Sequence, residues 1–160
     1  MIKTAEELLA LEPPARRVAR RVARTGVLMR RVLRMFAERG GLIPVEEIGA
    51  PLGALLALDA DDLLRIQDGH VDVAYPFIAR PTPWVVTLPG GHERYACCAT
   101  DALGMAPMLG RPVHIRSSCH HCGTPLQFQV SPDGPEPDAH EVMVWFGTRV
   151  DDRCKVADTW

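Results

Sequence analysis

The spacing of apolar side chains predicts helices over residues 4–66 of this chain. Between residues 15 and 39, apolar residues recur at helical intervals with arginines between them, which predicts an amphipathic helix interrupted at Thr25-Gly26. A capping-box pattern predicts a shorter helix over residues 4–12. Residues 44–66 contain further short helical patterns, the last of which has Asp59 as its N-cap.

The spacing changes after residue 70 and becomes typical of strands. Apolar and polar residues alternate over residues 71–75, and an apolar run covers residues 84–88 before a Pro-Gly-Gly turn. A helical pattern then covers residues 99–109. Further strands are predicted at residues 112–116, 126–130 and 141–146, with a loop at 131–139.

This order of elements predicts an α+β protein. We expect a helical, winged-helix-like domain over residues 1–80, packed on a small mixed β-sheet domain over residues 81–160. A winged helix often binds DNA through its third helix. Here that helix would start at Asp59 and carry Asp61 and Asp62 against a single Arg65, and carboxylates repel phosphates. The winged helix is therefore predicted to be a scaffold, and DNA binding is not expected.

Composition places the chain among ordinary globular proteins, with 47% hydrophobic and 24% charged residues. No apolar run approaches the roughly 20 residues of a membrane span, and no signal peptide is recognisable, so no membrane association is expected. The five cysteines are an odd number, which favours free or metal-bound thiols over a disulfide framework. These features together predict a cytoplasmic, reducing location.

The charge is unevenly distributed along the chain. Residues 1–40 hold ten Lys or Arg and four Asp or Glu, whereas residues 41–160 hold eight and sixteen. The basic part has the charge to touch an acidic partner, although a solvated helix face is the more common reason for such a pattern.

Cys98 and Asp101 are the candidate reactive pair. They stand at a predicted strand-to-helix junction, where unpaired N–H groups of the first turn favour a thiolate and where the carboxyl group can face the same space as the sulfur. Such a pair suits capture of a soft metal together with proton transfer. The alternative is a buried cysteine pair, Cys97 and Cys98, beside a helix-capping aspartate.

Residues 94–132 resemble the central segment of the organomercurial (alkylmercury) lyases, which cut carbon–mercury bonds by protonolysis. The family pattern is Tyr-Ala-x-Cys-Ala-x-Asp, then an apolar helix ending in Gly-Arg, a strand with Ser-x-Cys, Gly-x-Pro, and a strand ending near Ser-Pro. The matching elements here are Tyr95-Ala96-Cys97-Cys98-Ala99-Thr100-Asp101, Gly110-Arg111, Ser117-Ser118-Cys119, Gly123-Thr124-Pro125 and Ser131-Pro132.

The resemblance implies an activity and its residues. Cys98 would be the thiolate that binds the mercury of a small organometal substrate, and Asp101 the carboxyl group that handles the proton. The family also has a second catalytic cysteine, and that position aligns near His140 or Glu141; Cys154 is the downstream thiol that remains, and we predict it as the second ligand. Hg²⁺ would be the product ion, removed by small thiols, and no organic cofactor is implied.

A second cysteine cluster, Cys119-His120-His121-Cys122, lies between two predicted strands. Two thiolates at this spacing can bind one zinc ion, but tetrahedral zinc needs two further ligands. Redox use and a purely structural role are the other interpretations, and the resemblance matches Cys119 to a structural cysteine. With this cluster present, a non-catalytic metal-binding or metal-sensing protein on the same scaffold is the alternative function.

Overall fold

A computed structural model describes residues 14–144 of the protein. The helices are α1 (Pro14–Thr25), α2 (Val27–Arg39), α3 (Leu52–Ala60) and α4 (Ala99–Leu109), with 3₁₀ turns at Val45–Ile48 and Pro137–Ala139. The strands are β1 (Ile43–Pro44), β2 (Leu64–Gln67), β3 (His70–Ala74), β4 (Phe77–Ile78), β5 (Val85–Thr87), β6 (Glu93–Ala96), β7 (Val113–Ser118), β8 (Pro125–Ser131) and β9 (Gly134–Pro135). The predicted helix at 4–12 and Cys154 lie outside the described residues.

In the described part of the chain, nine strands form a continuous sheet in the order β1-β3-β4-β6-β5-β7-β8-β9, with β2 also paired to β3. Every strand pair within residues 14–144 is antiparallel, so the α+β class is confirmed and the predicted mixed sheet is wrong. The reason is that short turns join most neighbouring strands, and such turns give antiparallel pairs.

The helices cover the sheet and enclose a hydrophobic core. Buried side chains from α2, α3 and α4 pack with inward-facing residues of strands from β1 to β8. Phe36 of α2 stacks on Phe77 of β4 with ring centroids 6.1 Å apart. The sheet continues across residue 80, and the division into domains at this residue stays a prediction. No helix among the described residues is long and apolar enough to cross a membrane.

The helix predicted to begin at Asp59 is wrong. Helix α3 ends at Ala60, and residues 64–67 form strand β2. Asp62 adopts a left-handed φ of 54°, which no helix allows, and the Asp59 carboxylate accepts a hydrogen bond from the Ile66 N–H at 2.9 Å. Asp59 therefore closes a turn, and the third helix on which the winged-helix interpretation depended is not present in this segment.

The C-terminal strand predicted at residues 141–146 is also wrong where the structure describes it. Residues 141–144 form a turn followed by irregular chain, and the remaining residues of that prediction lie beyond the described range. Met143 is 88% exposed, so the apolar side chains of this run are not all drawn into the core. A segment with alternating apolar and polar residues forms a strand only where the edge of a neighbouring strand is available to pair with it.

Arg94 ties strand β6, which leads to the candidate site, to the end of helix α2. Its guanidinium donates to the carbonyls of Phe36 and Glu38 at 2.8 Å each. These carbonyls lie in the last turn of α2, where carbonyl groups lack N–H donors from a following turn and where a cation is favoured; the Phe36 carbonyl also accepts from the Gly40 N–H at 3.0 Å.

Replacing Arg94 by alanine is expected to lower the free energy of unfolding by about 1–3 kcal/mol, because two charge-assisted hydrogen bonds are lost. Arg116→Ala is the matched control. Arg116 pairs with Glu93 across the sheet surface with both side chains about half exposed, and such pairs contribute little. Urea unfolding of both variants tests this. A loss of unfolding free energy in Arg94→Ala no larger than that in Arg116→Ala would show that the Arg94 hydrogen bonds to the end of α2 do not stabilise the fold.

Candidate active site

Cys98 occupies the junction between strand β6 and helix α4. Its backbone is extended, with φ −154° and ψ −179°, and it is the N-cap residue of the helix. The Cys98 sulfur accepts a hydrogen bond from the Asp101 N–H at 3.5 Å, in the way that a serine or aspartate oxygen caps other helices. The helix predicted at residues 99–109 is confirmed, and its start places the sulfur over the first turn.

The thiol of Cys98 and the carboxyl group of Asp101 are in direct contact. Cys98 Sγ donates to Asp101 Oδ2 at 2.9 Å, and the Thr100 hydroxyl lies 2.9 Å from the same sulfur. The contact arises because residues three apart share a helix face. Thr100 is a neighbour that the sequence pattern did not single out, since any residue type is allowed at that position of the family motif.

Burial controls the ionisation of both groups. It raises the pKa of the Cys98 thiol, and the nearby Asp101 charge raises this pKa further, against the smaller effects of Thr100 and the Asp101 N–H. Burial also raises the pKa of Asp101, partly opposed by the hydrogen bond from Cys98 and by the charge of Arg24. The Asp101 N–H at the start of α4 favours the thiolate, as expected, but burial and the nearby carboxylate outweigh it, so the pKa of the Cys98 thiol is raised.

Cys97 lies on the other side of the backbone from this contact. It is buried with Val73 and Ile78, and its thiol donates to the Phe77 carbonyl at 3.5 Å. Burial raises the pKa of the Cys97 thiol strongly. The two adjacent cysteines thus face opposite ways, as successive residues of an extended segment do.

Two small cavities lie near these residues. One, of about 200 Å³, is lined by residues 80–84 together with Ile78 and Cys97. The other, of about 300 Å³, lies between the end of α2 and strand β6. Neither is lined by Cys98 or Asp101. Thr82, in the wall of the 200 Å³ cavity, donates a hydrogen bond to the Ala96 carbonyl at 2.7 Å. No sequence pattern indicated this contact.

Cys119 and Cys122 lie in the turn between strands β7 and β8. Cys119 is half-buried and Cys122 is exposed. Among residues 14–144, no group of three or more His, Cys, Asp or Glu side chains is arranged to hold a metal ion. Among the described residues, the predicted zinc site therefore has the thiols of Cys119 and Cys122 but no further ligand.

The positions that align with the second family cysteine are exposed. His140 and Glu141 have exposed side-chain fractions of 73% and 88%, and His140 Nε2 lies 3.7 Å from Glu141 Oε1. The His140 ring contacts the Pro137 carbonyl at 2.9 Å. Cys154, the predicted second ligand, lies outside the described residues, so its role stays a prediction.

Comparison with known proteins identifies the same family across the second half of the chain. The sequence model of the alkylmercury lyase family matches residues 77–160. An alkylmercury lyase from Staphylococcus epidermidis is 35% identical over 111 residues, which are 66% of this chain and 50% of that protein. One from Bacillus cereus is 36% identical over 90 residues, 56% of this chain and 38% of that protein.

The similarity extends to a further relative and to a solved structure. An alkylmercury lyase from Streptomyces lividans is 46% identical over 43 residues, 27% of this chain and 20% of its own length. The crystal structure of the mercury-bound form of MerB2 aligns with a TM-score of 0.49 and 18% identity over 68% of this chain and 65% of that one. The chain spans half or less of the length of these sequence relatives.

Proposed function

Since the chain belongs to the alkylmercury lyase family, we propose that it cleaves carbon–mercury bonds by protonolysis, with Cys98 as the mercury-binding thiol and Asp101 as the proton carrier. The observation that carries the proposal is the 2.9 Å contact between Cys98 Sγ and Asp101 Oδ2. A soft thiolate is the side chain that a soft cation such as mercury prefers, and the carboxyl group is placed to take the proton that the thiol must lose.

The first step transfers a proton within this pair. As the mercury of R–Hg⁺ bonds to the Cys98 sulfur, the thiol proton moves along the existing hydrogen bond to Asp101. The carboxyl group becomes neutral, a form that its burial already favours because burial raises the pKa of Asp101. Atoms and charge balance, since the metal replaces the proton on sulfur and the carboxylate receives it.

The second step delivers that proton to carbon. Asp101 acts as a general acid toward the carbon bound to mercury, the carbon–mercury bond breaks, and R–H leaves while Hg²⁺ stays on sulfur. A second thiolate on the metal would increase the electron density on the leaving carbon, and we propose Cys154 for this role. Small thiols, abundant in the cytoplasm that the sequence predicts, would then remove the ion.

Release of the hydrocarbon tests this function. The protein, incubated with phenylmercury and excess cysteine, is expected to release benzene at a rate proportional to enzyme concentration, as measured by gas chromatography of the headspace. The alternative, a non-catalytic metal-binding or metal-sensing protein, predicts retained mercury with no benzene. Heat-denatured protein at the same thiol concentration is the control for uncatalysed release.

The same assay examines the second thiol. If Cys154 completes the metal site, Cys154→Ser is expected to slow benzene release by roughly a hundredfold or more, because one of two metal–sulfur bonds is lost in the transition state. Undiminished release by this variant would show that a different group, such as an added thiol, is the second ligand. Single-turnover benzene release at varied cysteine concentration separates these cases. Removal of Hg²⁺ by thiols does not enter a single turnover, so only an external second ligand then makes the rate depend on cysteine.

A further inference from the structure

We propose that Cys119 and Cys122, at the turn between β7 and β8, form a second site for a soft two-coordinate cation and accept Hg²⁺ from the Cys98 site. The acceptor role rests on the proposed carbon–mercury cleavage, whereas binding of Hg²⁺ to the pair does not depend on it.

The strand register places this turn at the same end of the sheet as Cys98. Tyr95 of β6 and Arg116 of β7 both pair with Val85 of β5, so the three residues form one row across the sheet. Three residues beyond that row in each case, just past the end of the strand, the chain reaches Cys98 after β6 and Cys119 after β7. The two segments are separated laterally by roughly 10 Å, the width of two strand spacings. A cation leaving one cysteine thus enters solvent close to the others.

The turn holds the two thiols together. The Cys119 N–H donates to the Thr124 carbonyl and the Gly123 N–H donates to the Cys119 carbonyl, both at 2.8 Å. Gly123 has a φ of 74°, which lets the chain reverse just after Cys122. The reversal brings Cys122 back toward Cys119. The Thr124 hydroxyl lies 3.1 Å from the Cys122 sulfur and adds a further polar contact.

The number of ligands available at this pair of cysteines favours Hg²⁺ over zinc. Zinc in proteins is four-coordinate, and no third ligand stands beside this pair among residues 14–144. Hg²⁺ is satisfied by two thiolates and prefers soft sulfur. Transfer forms two Hg–S bonds at the pair and breaks the Hg–S bonds at the Cys98 site. The two thiol protons released by the pair are balanced by protonation of the thiolates left behind, whereas binding of free Hg²⁺ releases them to solvent. Oxidation states do not change, so the step needs no oxidant or reductant.

Direct titration with HgCl₂ tests the binding site without any carbon–mercury cleavage. The full chain is equilibrated with HgCl₂ and excess glutathione, desalted, and analysed for mercury. Cys98→Ser is expected to retain about one Hg²⁺ on the Cys119–Cys122 pair, and its triple variant with Cys119→Ser and Cys122→Ser is expected to retain about one fewer. Cys122→Ser in the Cys98→Ser background, which adds a change at an exposed residue only, should match the triple variant and guards against misfolding. Equal mercury content with and without the pair overturns the proposal.

A single-turnover experiment tests the transfer. Wild-type protein receives less than one equivalent of phenylmercury, and after benzene release the accessibility of Cys98 to iodoacetamide is measured by peptide mass spectrometry. Cys98 should become reactive again in the wild type and stay blocked in Cys119→Ser/Cys122→Ser, with the same yield of benzene. Equal reactivity in both proteins would show that Hg²⁺ does not move to the pair. Absence of benzene from both would instead contradict the proposed lyase function.

Discussion

Cys98→Ser is expected to abolish benzene release and to remove the mercury bound at the catalytic site, whereas Cys97→Ser keeps both. Loss of the nucleophile should lower the rate by roughly three orders of magnitude or more. A serine hydroxyl is a hard oxygen ligand with a much higher pKa than a thiol, so it neither binds mercury well nor supplies a proton to Asp101.

Cys97 provides a matched control because it has the same side chain one residue away. Its sulfur is buried against the Phe77 carbonyl and has no contact with Asp101 in the described hydrogen bonds. Cys97→Ser is expected to cost about 1–2 kcal/mol of stability, since a hydroxyl replaces a weakly polar thiol in an apolar cluster. Assays at 15 °C, below any unfolding, separate this cost from turnover. Equal loss of activity in both variants would remove Cys98 from its assigned role.

Asp101→Asn is expected to lower the rate of protonolysis by about 10²–10⁴-fold while leaving mercury binding within a few-fold of wild type. The amide can accept the hydrogen bond from the Cys98 thiol, so the local geometry is kept. It cannot take the thiol proton and deliver it to carbon. Single-turnover benzene release and equilibrium binding of HgCl₂ measure the two effects separately.

The same variant distinguishes a catalytic carboxyl group from a structural one through its stability. Burial raises the pKa of Asp101 in the folded protein, so the native state binds this proton more tightly than the unfolded state does. Ionisation of the carboxyl group therefore lowers the free energy of unfolding as the pH rises from the pKa of Asp101 in the unfolded state, about 4, through its pKa in the folded state. Asparagine removes that cost.

Asp101→Asn should accordingly be at least as stable as wild type at pH 7, and the difference should shrink below about pH 4. Urea unfolding at both pH values measures it. Marked destabilisation at pH 7 would mean that Asp101 serves the helix and not the reaction. The structure makes Cys98 the N-cap residue, and the side-chain contact described for Asp101 is with the Cys98 sulfur.

The catalytic pair could be predicted from the sequence because its geometry is local. Once a helix begins at Ala99, a cysteine just before it and an aspartate in its first turn must approach each other. The interruption of the N-terminal helix near Gly26 and the strands at β3, β5, β7 and β8 were predictable for the same reason, since each depends on the periodicity of a single segment.

Segments whose structure depends on distant partners were not predictable. Residues 64–67 pair with β3 and form a strand, although their local pattern continues a helix. The resting state of Cys98 depends on how deeply α4 packs on the sheet, because burial and not the helix N-terminus controls its pKa. The proximity of the turn at residues 119–124 to Cys98 follows from the order of β6, β5 and β7 in the sheet. Sequence spacing determines contacts within one turn of helix, whereas strand order and burial are properties of the whole folded chain, and tertiary structure alone decides them.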